Sequence, residues 1–194
     1  MSAPKRRPGK EASIEALLTA ARELFAEQGP SAVSLRDVAR RAGVSHGLIH
    51  HHIGSRDDLL RMVFDRSSEE ARARIEGAGD PAEALDRLRQ MALEGDDEYT
   101  RLLAWSLLEG RDPAEFHGRS PALDAVLATD PEGSRHLRLA VAATMVQTLG
   151  LKLFGAYALT GAGLDPDAAD DLRHLLEGVS DELVHAATTT EVSA

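Results

Sequence analysis

The stretch that decides the fold runs from Ser34 to Leu60 and reads SLRDVARRAGVSHGLIHHHIGSRDDLL. It predicts two short helices joined by a tight turn, followed by the start of a third helix. Ser34 and Asp37 form an S-x-x-D capping pair that is typical of a helix N-terminus. Gly43 suits the left-handed residue that ends a helix. We therefore expect the first short helix over about residues 35–41.

The second short helix is predicted over about residues 46–52, with Ser45 as its N-cap. Ile49 and Ile53 share one side of it at i, i+4 spacing. Its other sides carry mostly imidazoles and a glycine, which are poor material for a protein core. A short polar helix after a tight turn is typical of a helix–turn–helix, which places its second helix in the DNA major groove.

This interval resembles the DNA-binding domain of the TetR family of transcriptional regulators. In that family a capping Ser or Thr precedes the pattern xxxxIAxxAGVSxGxxYxHFxSKxxLL. The sequence departs from the pattern at His50, where the family usually has Tyr, at Ile53 (usually Phe) and at Arg56 (usually Lys). The resemblance covers about residues 11–65, and beyond them it rests on size and helical layout. The matching positions are Ser34, Val38, Ala39, Ala42, Gly43, Val44, Ser45, Gly47, His52, Ser55, Leu59 and Leu60.

The resemblance implies a set of DNA contacts, which we carry over residue by residue. The implied base contacts are His46, Gly47, Leu48 and His51. The implied phosphate contacts are Ser34, Arg36, Ser45, His50, His52 and Arg56. The resemblance also implies a homodimer on a palindromic operator, in which the last two helices pair with their copies as a four-helix bundle. The residues alone also permit a monomeric bundle around a central apolar helix. Two half-sites about 34–36 Å apart, the usual arrangement for such proteins, favour the dimer. The implied function is a repressor that a small-molecule effector releases from its operator.

The distribution of charge favours a partner with negative charge at the N-terminal end only. The chain of 194 residues has a net charge of −10, which by itself argues against nucleic acid. Residues 1–56, however, hold nine Lys/Arg and five Asp/Glu, a net of +4, and the remainder has a net of −14. A basic head on an acidic body would orient the molecule towards DNA. Lys5, Arg6 and Arg7 form a basic arm within residues 1–10, which we expect to be disordered.

The rest of the chain predicts helices and no sheet, since no segment alternates with period two. A helix over about 11–28 is followed by Gly29-Pro30, and another begins at Ser55 and ends near residue 75. Five Asp-Pro or Ser-Pro pairs then mark further helix starts, because Pro is tolerated at the first helical position. They predict helices at about 81–94, 113–117, 121–128, 131–160 and 166–187, and a further helix is predicted at about 97–109. The predicted fold is all-α, with a three-helix helix–turn–helix domain over residues 11–56 and a helical ligand-binding and dimerisation bundle over residues 57–194.

The predicted body has few aromatic residues, and they cluster in segments that would surround a bundle core. We predict a mostly apolar effector pocket there, with adaptable methionine walls and one charged group. Plain core is the alternative interpretation for each of these residues. The candidate pocket residues are Met91, Tyr99, Arg101, Trp105, Phe116, Met145, Phe154 and Tyr157.

Two other classes of protein are alternatives to a DNA-binding regulator. A metal enzyme could use His46 and His50 at i, i+4 spacing. No carboxylate lies in the same short helix, however, and consecutive histidines point about 100° apart on a helix. A helical adaptor that binds only proteins is the second alternative. We predict no enzyme activity, no metal and no cofactor. The chain has no Cys, no apolar run of about twenty residues and no apolar signal segment, so we expect a cytoplasmic protein.

Overall fold

The computed structural model describes residues 9–95, 97–112, 114, 120–130 and 135–189. Within these ranges it does not describe the side chains of His46, Leu48, Pro166, Ser180, Asp181 and residues 183–189. All regular secondary structure in the described part of the chain is helical and none of it is strand, which confirms the predicted fold class. Its helices are α1 (Lys10–Gln28), α2 (Leu35–Ala42), α3 (His46–His52), α4 (Arg56–Ile75), α5 (Pro81–Glu94), α6 (Asp97–Leu108), α7 (Pro121–Leu127), α8 (Arg135–Gly161) and α9 (Ala169–Thr189), with single 3-10 turns at Pro30–Ala32 and Pro166–Ala168.

Contacts between residues divide the chain into two compact units. Unit 1 comprises Met1–Ser67 and Arg101–Gly118, and unit 2 comprises Ser68–Thr100 and Arg119–Ala194. The chain passes from one unit to the other within α4 and again within α6. Because unit 1 includes the second half of α6, it is larger than the predicted helix–turn–helix domain. The predicted division at residue 56 stays a prediction.

Unit 1 buries one apolar side of each of its first four helices. Leu17 and Phe25 of α1 are fully buried, as are Val38 of α2 and Ile49 of α3. The part of α4 that belongs to this unit adds four more buried residues: Leu59, Leu60, Val63 and Phe64. Helix α2 contacts both α1 and α3. Burial of this kind, at roughly 25 cal/mol per Å² of apolar surface, holds the short helices in place, since neither would be stable alone.

Unit 2 has its own apolar core. Helix α8 contacts α5, α7 and α9. The buried cluster draws on the end of α4, on α5 and α7, and on the first half of α8: Ala71, Ile75, Ala84, Leu85, Leu88, Ala122, Val126, Leu137, Ala140 and Val141. The Asp80-Pro81 and Ser120-Pro121 pairs begin α5 and α7 as predicted, because each cap side chain accepts a hydrogen bond from the third helical N–H. The predicted turn at 113–117 and the start at Asp130-Pro131 lie largely outside the described residues.

Helix α8 departs from two expectations. Its composition predicts burial on several sides, yet Leu139, Val146 and Tyr157 are 50%, 72% and 80% exposed. An 18-residue window of α8 has a mean hydropathy of 1.4, so by length and composition alone the helix could cross a membrane. The expectation that the chain has no long apolar run is therefore corrected for α8. Core helices of globular proteins often have the same length and hydropathy, so these two properties are weak support for a membrane span.

Candidate nucleic-acid interface

Two capping boxes bracket helix α3. At the start of α2, the Ser34 hydroxyl accepts from the Asp37 N–H at 3.2 Å, and the Asp37 carboxylate accepts from the Ser34 N–H at 3.2 Å. At the start of α4, Ser55 and Asp58 exchange the same pair of bonds at 3.0 Å each. Each hydroxyl also donates to its carboxylate, at 2.5 Å and 2.6 Å. These bonds lower the pKa of both carboxyl groups below the ordinary value of 3.8, mainly through the serine side chains.

The turn between α2 and α3 is short because Gly43 takes the left-handed conformation, with φ of 65°. The Val44 N–H then donates back to the Ala39 carbonyl at 3.0 Å, which closes the end of α2. Both features match the predicted C-cap. The prediction that Ser45 caps α3 needs correction. Ser45 occupies the N-cap position in an extended conformation, but its side chain makes no capping hydrogen bond.

Helix α3 buries one side, and the residues described on its other sides are exposed or half-buried. Ile49 is fully buried and Ile53 nearly so, as their spacing predicts. Gly47, His50 and His51 are exposed, and His52 is half-buried with its ring centroid 4.8 Å from that of His51. The predicted base contacts His46 and Leu48 lie on this helix, but their side chains are outside the described ones. The helix therefore presents a polar surface between two well-capped neighbours.

The cations near α3 are not equally available. Arg36 is exposed on α2. Arg41 donates to Glu23 and Glu27 of α1, at 2.9 Å and 3.2 Å, and so ties α2 to α1. The Arg41 guanidinium is therefore engaged by two carboxylates of its own chain.

Arg56 is half-buried, and one arm of its guanidinium donates to the Ser31 carbonyl at 2.9 Å. A guanidinium has five N–H donors, so a phosphate contact remains compatible with this bond. Arg56 therefore also holds the turn before α2, whereas the family resemblance implied only a phosphate contact for this residue.

The sequence analysis did not identify Glu109 and Arg111 as functional candidates, because no motif or nearby residue in the sequence marks them. A Glu109 carboxylate oxygen accepts from the Ser31 N–H at 2.9 Å, across 78 residues of sequence. Arg111 donates to the Asp57 carboxylate at 2.9 Å, across 54 residues. Both contacts lie within unit 1, one at the turn before α2 and the other at the first turn of α4.

The residues predicted to line an effector pocket have mixed positions. Met91, Tyr99 and Met145 are half-buried, and burial raises the pKa of the Tyr99 hydroxyl to about 12. Phe154 is 62% exposed, like its neighbour Tyr157. Arg101 is also exposed, Trp105 belongs to unit 1, and Phe116 lies outside the described residues. The effector pocket therefore stays a prediction.

Unit 2 does contain an open groove of about 610 Å³, between the end of α4 and α7. Of the seven predicted pocket residues that the structure describes, none lines it. Its lining is mixed in charge: Arg72, Ile75, Glu76, Gly77, Ala78, Gly79, Pro121, Asp124, Ala125, Ala128 and Thr129. Among the described residues there is also no group of three or more potential metal ligands.

Comparison with known proteins agrees with this geometry. The family model described as "Bacterial regulatory proteins, tetR family" matches residues 17–63, which span α1 to α4 and include both capping boxes. An HTH-type transcriptional repressor of Mycobacterium tuberculosis is 36% identical over 168 residues, which cover 85% of each chain. The regulator BetI of Rhizobium meliloti is 34% identical over 86 residues, 42% of each chain.

Solved structures show the same fold over most of the chain. A transcriptional regulator from Rhodococcus sp. has a TM-score of 0.61 at 25% identity, covering 89% of this chain and 96% of its own. GusR of Salmonella enterica has a TM-score of 0.61 at 20% identity, covering 91% and 100%. With the match of the helix–turn–helix and a repressor related over 85% of its length, this chain belongs to the TetR family of helix–turn–helix transcriptional regulators.

Proposed function

We propose that this regulator is a repressor that binds a palindromic operator as a homodimer and leaves it when a small molecule binds. The observation that carries the proposal is the polar helix α3, held between two capping boxes with Gly47, His50 and His51 exposed. Such a helix fits the major groove and has little to gain from burial. The related M. tuberculosis protein is named a repressor, which supports the direction of regulation.

The proposed DNA contacts follow the family pattern. His46, Gly47, Leu48 and His51 face base edges, where imidazole donates or accepts and Leu48 contacts a thymine methyl group. Phosphates are held by the serines and cations around the helix, namely Ser34, Arg36, Ser45, His50, His52 and Arg56. In this division, the second group supplies affinity and the first supplies sequence preference.

The proposed dimer uses the exposed apolar surface of α8 and α9. Leu139, Val146 and Leu153 recur every seven residues along α8 and are 50%, 72% and 38% exposed in the single chain. Helix α9 adds Leu175 at 67% and Val179 at 43%. Contiguous apolar surface of this kind usually marks an interface. Regulators of this family act as dimers, and a dimer places two copies of α3 on two half-sites.

Effector release requires that the ligand bind the DNA-competent state more weakly than another state of the protein. We place the effector in the body formed by residues 57–194, and we assign the protein no catalytic role and a cytoplasmic location, where its DNA target lies.

The test is a fluorescence-anisotropy titration of the purified protein against duplexes from around its own gene, at two salt concentrations. We expect one duplex to bind much more tightly than the others, with an affinity that falls steeply as salt rises. Adding candidate small molecules to that complex then identifies an effector by loss of anisotropy. Weak binding that does not depend on sequence would contradict the proposal and favour a protein-binding adaptor.

A further inference from the structure

The turn that leads into α2 is held from both sides by charged groups. Glu109 accepts from the Ser31 N–H at 2.9 Å, and Arg56 donates to the Ser31 carbonyl at 2.9 Å. The backbone N–H and the carbonyl of Ser31 are thereby both hydrogen-bonded to side chains that are distant in sequence. Three residues after Ser31, Ser34 forms the N-cap of α2.

The same charged groups continue to the start of α4. Arg111 donates to the Asp57 carboxylate at 2.9 Å, and its Nε lies 3.6 Å from the second carboxylate oxygen of Glu109. Asp57 directly follows Arg56, so the contacts form a closed ring: Glu109 to Ser31, Ser31 to Arg56, Arg56 through the chain to Asp57, Asp57 to Arg111, and Arg111 to Glu109. We call Ser31, Arg56, Asp57, Glu109 and Arg111 the charged ring.

The approach of residues 105–109 to this turn is close. A Cβ added at Gly29 would lie 3.2 Å from the Trp105 ring and 3.2 Å from the Glu109 carboxylate. Gly29 also has φ of 83°, a conformation that other residues rarely adopt. The turn therefore packs directly against the C-terminal part of α6 and cannot shift without breaking these contacts.

Stability alone does not account for the charged ring. The side chains of Glu109 and Arg111 are only 19% and 17% exposed, and one Glu109 oxygen is buried without a hydrogen bond. Burying charges costs solvation free energy, and apolar replacements are often neutral or stabilising. What the ring does supply is geometry, because it ties the turn before α2 to the first turn of α4, and α3 lies between those two helices in sequence.

We propose that Glu109 and Arg111 are positioning residues for DNA binding, which hold α3 in its DNA-binding orientation through Ser31 and Asp57. This inference rests on the proposed function. The negative charge of Glu109 allows a positioning role to be distinguished from a long-range electrostatic effect on DNA affinity. Removing the Glu109 carboxylate makes the protein less negative, so long-range attraction alone would strengthen DNA binding or leave it unchanged. Loss of positioning would weaken it.

The experiment compares Glu109→Ala and Arg111→Ala with two controls in the same unit, Asp65→Ala and Arg61→Ala. Asp65 and Arg61 are exposed on α4 and lie outside the charged ring. Arg61 forms a surface ion pair with Asp58 at 3.0 Å, so this control also reports the effect of breaking an ion pair at the start of α4. Each control removes the same charge as its partner variant. The probe is the duplex that the wild type binds most tightly, and circular dichroism verifies that each variant is folded.

We expect both ring variants to lose on the order of tenfold in affinity, while each control stays within about twofold of the wild type. Amide hydrogen exchange without DNA should become faster over residues 29–34 and 53–60 in the ring variants and stay unchanged in α8. Wild-type affinity in Glu109→Ala, or tighter binding, would overturn the inference and leave the proposed function intact. A wild type that binds no duplex specifically would instead overturn the proposed function and, with it, any role of these residues in DNA binding.

Discussion

At the scale of single residues, we propose two roles for Arg56, one in binding a DNA phosphate and one in holding the turn before α2. The family pattern places a phosphate-binding cation at this position, and the structure uses one arm of the guanidinium to hold Ser31. Since four other N–H donors remain, we expect the side chain to serve both DNA and the turn.

We predict that Arg56→Gln weakens binding to every duplex and lowers the slope of log affinity against log salt by about one. The physical reason is that one fewer phosphate is neutralised, whatever the sequence. Anisotropy titrations at several salt concentrations measure the slope. An unchanged slope with weaker binding would assign Arg56 to positioning alone, alongside Glu109 and Arg111.

A change on the exposed side of α3 should behave differently. We predict that His51→Ala alters base preference and costs about 1–3 kcal/mol on the best operator, with little effect on unrelated DNA. Binding of the variant to a library of operators with single base changes measures this directly. Equal losses on every sequence would contradict the assignment of His51 to a base.

At the scale of elements, the two capping boxes decide where α2 and α4 begin. Removing a Ser cap by Ser34→Ala should lower the free energy of unfolding by about 1 kcal/mol, because an N-terminal N–H loses its partner. Denaturant unfolding measures the difference. The control is Thr19→Ala, which removes an exposed hydroxyl within α1, away from any helix end. A loss no larger than that of the control would rule out the cap as a source of stability.

The same boxes predict how stability varies with pH. Hydrogen bonds from Ser34 and Ser55 hold the pKa of Asp37 and of Asp58 below 3.8 in the folded state. A lowered carboxyl pKa gives a stabilisation that is present above the unfolded value and is lost as the pH falls through the folded value. The stability difference between wild type and Ser34→Ala/Ser55→Ala should therefore be constant from about pH 5 to 7 and shrink below about pH 4. Unfolding titrations across this range test it, and a difference that grows on acidification would contradict it.

Local sequence signals located most of these elements. Ser34, Gly43 and the Asp80-Pro81 pair act through bonds to residues within one helical turn, so their effect can be predicted from spacing. The missing cap bond at Ser45 shows the limit of that reasoning, since a suitable side chain need not make the bond. Glu109 and Arg111 could not be found in this way, because their partners are set by the packing of distant segments.

At the scale of the whole molecule, the exposure of α8 is the feature that most needs a partner. Its composition predicted burial, and within the single chain that burial is incomplete along one face. The same apolar composition fits an interface with a second copy, and sequence alone does not say whether the second surface belongs to the same chain. Periodicity reports that a face is apolar and carries no information about what covers it.

We predict that Val146→Glu converts the dimer into a monomer. Val146 is 72% exposed at the middle of the apolar stripe between Leu139 and Leu153. A carboxylate placed there would be buried without a partner in the dimer, at a cost of several kcal/mol, whereas in the monomer it would remain in water. Sedimentation velocity measures the mass.

Ala82→Glu, an equal charge change at an exposed site on α5, should remain dimeric. A Val146→Glu protein that keeps the dimer mass and wild-type operator affinity would place the dimer interface elsewhere. A monomer whose affinity falls to the level of unrelated DNA would show that operator recognition needs both copies of α3.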